Sequence, residues 1–284
     1  MQNQMIKIWD GTDYAQDHSN AGQPTLTTYL LDDIAQSNFR PKRASVLICP
    51  GGAYRFVSDR EAEPVAMRFL AAGFDAFILR YRVAPSARYP EPLLDLFRAM
   101  WLIRENAAKW NLDPDRIAVC GFSAGGHLAA SLGVFWESPE LRAAIGMPEG
   151  INQPDALILG YPVITSGAHA HKGSFVNLLG ENAPEEIWNK MSLEFQVNKS
   201  TPPSFLWHTF SDQAVPVENS LCFVRALNQQ GIPFELHVFP EGPHGLSLCD
   251  KETAVGNPSL INDHTAKWMP LCLEWLGRQF HEIG

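Results

Sequence analysis

Short apolar runs alternate with stretches of helical periodicity along most of this chain. Residues 5–9 and 25–31 read as two strands joined by a polar segment of Asp, Gly and Asn, an antiparallel start. Residues 44–49 form a short apolar run that stops at Pro50-Gly51-Gly52-Ala53-Tyr54, so a buried strand enters a glycine-rich loop. Residues 58–72 carry Val65, Met67, Phe69 and Leu70 at helical spacing and close at Gly73. A strand over 74–81 follows, then a long helix over 90–110 whose apolar side is Leu93, Leu94, Phe97, Met100, Trp101 and Ile103. Asp113-Pro114-Asp115-Arg116 reads as a turn into the next strand. Residues 156–163 are another apolar run, and 164–203 are polar, glycyl and aromatic with weak periodicity. The pattern then resumes as a strand over 204–209, a helix over 217–230 closed by Gly231, a strand over 234–239 and a final helix over 262–280.

Strands alternating with helices at this spacing predict an α/β fold with a mainly parallel sheet covered on both faces. No repeat or linker divides the 284 residues, so 1–284 is expected to be one domain, with 164–203 as a candidate cap insertion. A composition of 45% hydrophobic and 11% aromatic residues can fill a large core. The net charge of −9, with no Lys/Arg-rich run, argues against nucleic-acid partners. Five scattered cysteines (Cys49, Cys120, Cys222, Cys249, Cys272) lack C-x-x-C spacing, so neither a disulfide framework nor a zinc site is expected. Residues 1–10 do not have the pattern of a signal peptide and no run approaches membrane-spanning length, which makes a reducing cytoplasm the default expectation. Homo-oligomerisation stays open.

The candidate chemistry centres on Ile117-Ala118-Val119-Cys120-Gly121-Phe122-Ser123-Ala124-Gly125-Gly126-His127-Leu128. Gly121, Ser123 and Gly125 form G-x-S-x-G between an apolar strand and a small-residue helix (Ala124, Ala129, Ala130, Ser131), the context of a nucleophile elbow. Glycines are needed where the backbone folds back on itself. The blander reading is a serine filling a glycine-rich turn. An activated serine needs a base, and the base an orienting acid. In elbow folds the chain order is Ser, acid, His. Asp212 and His244 satisfy that order, each in a loop after a predicted strand and so at the carboxyl edge of the sheet.

Rivals exist for each position. Asp250 and Asp263 compete with Asp212, which alone lies between a strand and a helix in the right order. Of nine histidines, His18 and His281 lie near the termini and His237 lies inside a strand. His127, on the helix after the elbow, and His208 read as scaffold residues, His208 with a backup role. His169 and His171 have no partner at a metal-ligand spacing. For a developing oxyanion the donors are Ala124 N–H and the glycine-rich loop, with Gly52 and Ala53 as its candidates. Tyr54 in that loop and Trp188 in the insertion are candidates to touch substrate; aromatics of the insertion either stack on sugar faces or anchor it to the core.

Four segments together, Cys49-Pro50-Gly51-Gly52-Ala53-Tyr54, Arg80-Tyr81-Arg82-Val83-Ala84-Pro85, the stretch from Asp113 to Leu128, and Gly242-Pro243-His244-Gly245, resemble the α/β-hydrolase superfamily. More narrowly they resemble its hormone-sensitive-lipase-like and acetylxylan-esterase-like carboxylesterases. The resemblance implies an α/β-hydrolase fold and serine carboxylesterase activity on short acyl esters, often acetylated sugars, with no cofactor or metal. Two departures bear on it. The HGGG loop of the lipase-like branch is here Pro50-Gly51-Gly52-Ala53, and the long apolar N-terminal cap of that branch is lacking; both fit the sugar-esterase side. A peptidase or amidase on the same scaffold, and a non-catalytic ligand-binding homologue, are the competing readings.

Overall fold

The structure, a computed structural model, describes residues 1–14, 23–32 and 41–280. His18, His281 and residues 15–22 of the segment joining the first two strands lie outside the described residues. The strands are β1 Gln2–Lys7, β2 Thr25–Leu30, β3 Arg43–Cys49, β4 Asp75–Arg80, β5 Leu112–Phe122, β6 Ala156–Gly160, β7 Ser204–Thr209 and β8 Phe234–Phe239. They form one sheet in the order β1-β2-β4-β3-β5-β6-β7-β8. The β1–β2 and β2–β4 pairs are antiparallel and all others parallel. Nine helices accompany them among the described residues: α1 Glu63–Ala71, α2 Glu91–Glu105, α3 Ala124–Phe135, α4 Pro139–Ala143, α5 Lys172–Leu179, α6 Glu185–Lys190, α7 Glu218–Gln230, α8 Lys251–Ala254 and α9 Trp268–Gln279.

The central strands β3 to β7 are mostly apolar on both faces because helices cover both, whereas the edge strand β1 is exposed. Leu47, Val119, Leu157 and Leu206 enter one core with α2, α3 and α7. Their neighbours Val46, Ala118, Ile158 and Phe205 enter a second core with α1 and α9. The period-two alternation of strand side chains sorts them this way. This is the α/β-hydrolase fold. No described helix is long and apolar enough to cross a membrane.

Several element boundaries differ from expectation: β1 covers Gln2–Lys7 rather than 5–9, and the long helix ends at Glu105, capped by Asn106, rather than at 110. The helix expected over 58–72 is broken into a 3-10 turn, Asp59–Glu61, and α1. Pro64 is the reason: it fits only the first turn of a helix, since its ring would clash with the carbonyl of residue 60 in a continuous one. The expected turn at 113–116 is instead part of β5, which begins at Leu112 opposite Arg43. The final helix begins at Trp268, not at 262, because a helix from 262 would bury Pro270 in its interior. Asn262 instead folds a turn, its Oδ1 accepting the amides of His264 and Thr265 at 3.1 and 3.0 Å.

Segment 164–203 holds α5, α6 and the 3-10 turn Leu193–Phe195, elements too short to show in the periodicity. It is tied to the scaffold at several points. Asn219 Oδ1 accepts the amides of Ile164 and Thr165, and Asn177 Nδ2 donates to Ala53 O at 2.8 Å. Phe175 packs edge-on against the fully buried His127 ring. His127 Nε2 lies 2.9 Å from Met191 O and Nδ1 lies 2.9 Å from the Tyr54 hydroxyl. A carbonyl only accepts, so the neutral ring carries its proton on Nε2, and Nδ1 accepts from Tyr54 O–H.

Burial pushes the His127 pKa down to about 4, against a smaller opposing pull from Met191 O. An unfolded histidine titrates near ~6.5, so on acidification the unfolded chain takes up this proton first. Stability from a neutral buried His127 is therefore full above about pH 6.5 and is lost as pH falls toward 4. His127→Gln keeps an N–H for Met191 O and cannot titrate. Urea unfolding of wild type from pH 7 to 4.5 is expected to lose on the order of 2–3 kcal/mol more than the variant does; identical pH slopes would show that His127 does not carry the acid sensitivity.

Candidate active site

Ser123 is held at φ 53° and ψ −121°, a conformation L residues rarely adopt. Its amide donates to Gly160 O at 3.0 Å, and its carbonyl accepts from His127 N and Val163 N at 3.1 and 3.0 Å. Glycine is required on either side. A Cβ on Gly121 would stand 2.1 Å from Gly125 O, and one on Gly125 would stand 2.1 Å from Cys49 O and 2.4 Å from Pro50 O. The turn between β5 and α3 is thus pressed against the end of β3, and Ser123, only 7% exposed, faces a cleft at the carboxyl edge.

Ser123 Oγ lies 2.8 Å from His244 Nε2, and His244 Nδ1 lies 2.6 Å from Asp212 Oδ2. A carboxylate accepts, so Nδ1 carries the proton and Nε2 is left to accept from the serine hydroxyl. That is the tautomer a general base needs. The other Asp212 oxygen, Oδ1, accepts from Ala214 N at 2.9 Å and Val215 N at 3.0 Å. Burial alone would raise the Asp212 pKa. Hydrogen bonds from His208, His244 and the Val215 amide outweigh it and hold the carboxyl well below the usual range. His208 donates Nε2–H to Val215 O at 2.9 Å, and the same nitrogen stands 3.5 Å from Asp212 Oδ2. It braces the acid from behind. The rivals lie elsewhere: Asp250 caps α8 through Thr253 N and pairs with Arg68, and Asp263 is exposed in the turn before α9.

The loop after β3 curls beside Ser123. Gly52, Ala53 and Tyr54 all have positive φ, and a Cβ on Gly52 would meet Phe56 O at 2.1 Å. Gly51 N–H is already committed to Glu61 Oε2 at 2.7 Å. That leaves Gly52 and Ala53 as the loop amides beside the serine, with Ala124 at the first position of α3, where helix amides have no partner of their own. Gly52 and Ala53 border a cleft of about 330 Å³ that also takes in Phe56, Glu61, Ser123, His171, His244 and Gly245.

Two expected substrate contacts are placed differently. Tyr54 is 2% exposed, its hydroxyl turned inward to His127, so it is part of the scaffold. Trp188 stacks on Phe175 and borders another cleft with Thr165, Ser166 and Ser192, so it does not reach Ser123. An anchoring role explains both. Sequence reading missed Glu61 and said of His171 only that it has no partner at a metal-ligand spacing. His171, from segment 164–203, borders the serine cleft and is held by Ser174 Oγ at 2.8 Å. Partial burial, and then the proximity of His244, push its pKa down. The described residues include no cluster of His, Cys, Asp and Glu suited to a metal ion.

The BD-FAE family model, an α/β-hydrolase family, matches residues 32–227. Endo-1,4-beta-xylanase B of Butyrivibrio fibrisolvens is 40% identical over 253 residues, which cover 86% of this chain and 38% of that protein. Acetylxylan esterase of Xylanibacter ruminicola is 29% identical over 215 residues, 73% of this chain and 42% of that protein. This chain therefore spans well under half the length of either. Among solved structures, an acetyl ester-xyloside bifunctional hydrolase from Caldicellulosiruptor lactoaceticus has 37% identity and a TM-score of 0.83, covering 99% of this chain and 97% of that one.

Asp212→Asn keeps the side chain's shape but removes the charge and puts an amide donor opposite Nδ1. Turnover of an ester substrate is expected to fall by up to ~10⁴ in kcat, the range for a triad aspartate. Asp250→Asn and Asp263→Asn, checked for folding by circular dichroism, should leave kcat within about twofold, as surface changes do. Near-wild-type kcat in Asp212→Asn would remove it from the relay.

Proposed function

This chain belongs to the BD-FAE family, among the carboxylic ester hydrolases of the α/β-hydrolase fold, and from that footing we propose that it cleaves short acyl esters, acetyl above all, of carbohydrates or similar polar alcohols. The observation that carries this reading is the unbroken relay from Ser123 through His244 to Asp212, at 2.8 and 2.6 Å, opening on one small cleft.

The proposed course needs only groups of this chain, the ester and water. Ser123 Oγ attacks the acyl carbon while His244 Nε2 takes its proton. The oxyanion is met by the Ala124 amide and by Gly52 and Ala53 in the loop, each such donor being worth about 3 kcal/mol. Collapse breaks the bond to the alkoxy oxygen, which leaves as the alcohol with the proton from His244. Water then attacks the acyl-serine, with His244 again taking and returning a proton, and the carboxylic acid departs. Asp212 holds the imidazole in register and steadies its cation throughout. Segment 164–203 supplies a wall of the cleft through His171, a position that suits contact with the alcohol portion. Five free cysteines, four of them buried, fit the reducing compartment expected from the sequence.

A xyloside-cleaving reading is prompted by the names of two relatives. Glycoside hydrolysis ordinarily uses two carboxyl groups flanking the bond. Among the described residues Glu61 is the one carboxylate bordering the Ser123 cleft, and both its oxygens are engaged, by Gly51 N–H and by the Tyr161 hydroxyl. Ester cleavage at Ser123 is therefore favoured at this site. The triad is equally compatible with an amide, and a ligand-binding homologue would have no use for the relay.

The test is a panel of 4-nitrophenyl acetate to octanoate, acetylated xylo-oligosaccharides, 4-nitrophenyl xyloside and aminoacyl anilides. We expect kcat/KM to peak at acetyl or propionyl and fall by about tenfold or more by octanoyl, since each methylene that does not fit costs on the order of 1–3 kcal/mol. Ser123→Ala should lose both ester turnover and labelling by a fluorophosphonate with its melting temperature nearly unchanged. A preference for long chains, or for anilides over esters, would overturn the reading.

A further inference from the structure

Glu61 is a carboxylate 3% exposed, in the 3-10 turn ahead of α1 and outside the relay. Its two oxygens have one donor each. Oε2 accepts from Gly51 N–H at 2.7 Å, and Oε1 accepts from the Tyr161 hydroxyl at 2.6 Å. Tyr161, just past the end of β6 and 2% exposed, in turn accepts the Ser247 amide on its oxygen at 2.9 Å. Its ring stands edge-on to His244 with centroids 5.0 Å apart. The circuit closes through the backbone: Ser247 Oγ donates to Arg60 O at 2.6 Å, and the Arg60 guanidinium donates to Gly245 O at 2.7 Å.

Gly51 immediately precedes the two loop amides proposed to meet the oxyanion, and Ser247 lies three residues past the base. We propose that Glu61, acting through Tyr161, is a positioning residue that fixes the donor loop and the histidine loop relative to each other. The inference deepens the proposed ester hydrolysis and rests on it. A carboxylate suits the task because it offers two acceptors to two donors and its hydrogen bonds are charge-assisted. Space confirms the tightness: a Cβ on Gly51 would stand 2.7 Å from Glu61 Oε2 and 3.0 Å from Ser123 Cβ. A negative charge bordering the cleft opposes a developing oxyanion, so charge alone gives Glu61 no catalytic benefit there. Position and charge therefore make predictions of opposite sign.

Glu61→Gln has one acceptor oxygen in place of two, so it frees either Gly51 N–H or the Tyr161 hydroxyl. Tyr161→Phe keeps the ring against His244 and cuts the same link at its other end, which provides a test if the first variant folds poorly. With the concentration of competent sites fixed by fluorophosphonate titration, each single variant is expected to lose about 10- to 100-fold in kcat, a fraction of what a whole oxyanion donor is worth, with KM within about threefold. Inhibition by a methyl trifluoromethyl ketone, whose serine adduct carries the oxyanion, should weaken by the same factor. The double variant should be no worse than the worse single one, as expected of two residues in one circuit. Unchanged or raised kcat per titrated site, a change confined to KM, or additive losses would each overturn the proposal. Failure of the function itself reads differently: wild type would then turn over no ester.

Discussion

The approach of two backbones at Gly125 governs the site. Where a side chain would begin, the carbonyls of Cys49 and Pro50 already stand at 2.1 and 2.4 Å. β3 and β5 are adjacent and parallel, so the chain leaves both at the same edge. The contact then forces the glycine-rich loop and Ser123 side by side. Every other functional loop leaves that edge too, because β6, β7 and β8 continue the parallel run. His244 has furthest to travel: β8 lies three strands from β5, a lateral distance of roughly 14 Å at the usual strand spacing. Its loop is supported along the way. Thr209 and Ser211 hold Gly242 beyond β7, Asp212 holds the imidazole, and Tyr161 holds Ser247 beyond β6.

Histidine roles are separated by what each Nδ1 and Nε2 faces. His127 and His208 both give Nε2–H to a backbone carbonyl, and both have a hydroxyl at Nδ1, from Tyr54 and Ser220. Each is saturated on both nitrogens and buried, which suits a brace. His244 alone of the three has a carboxylate at Nδ1 and a serine hydroxyl at Nε2. The same side-chain type thus yields two braces and one imidazole placed for the proposed role of base, by the placement of acceptors alone.

The elbow and the relay were legible because they rest on local necessity. Glycines flank Ser123 where no Cβ fits, and chain order selected Asp212 and His244 from several candidates. The alternating strands gave the sheet for the same reason, since period-two burial is written into each segment. What could not be read are relations between distant segments. Glu61 meets Gly51 ten residues away and Tyr161 a hundred away, and no spacing rule joins them. Tyr54 sits in a functional loop, yet its side chain points to His127, a direction decided by packing across 73 residues. Trp188 is aromatic and lies in the insertion, but stacking on Phe175 turns it to a different cleft. The boundary errors at 58–72 and 262–280 were readable in principle, from Pro64 and Pro270.

The anchoring of segment 164–203 has a bearing on how such a protein can diversify. The segment gives Met191 O to His127, the Asn177 amide to Ala53 O, and Leu178 O to Tyr89 N. The first bond joins it to the helix after Ser123, the second to the glycine-rich loop, and the third to the turn before α2. It is not a detachable module. Exchange by recombination with a segment of another length would leave a buried imidazole and a strained loop without partners unless the newcomer restored each bond. Single substitutions at the inner surface, around His171, disturb none of them. Under the proposed ester hydrolysis, new alcohol preferences are therefore more accessible to this scaffold through stepwise change of a few cleft positions than through wholesale replacement of the insertion.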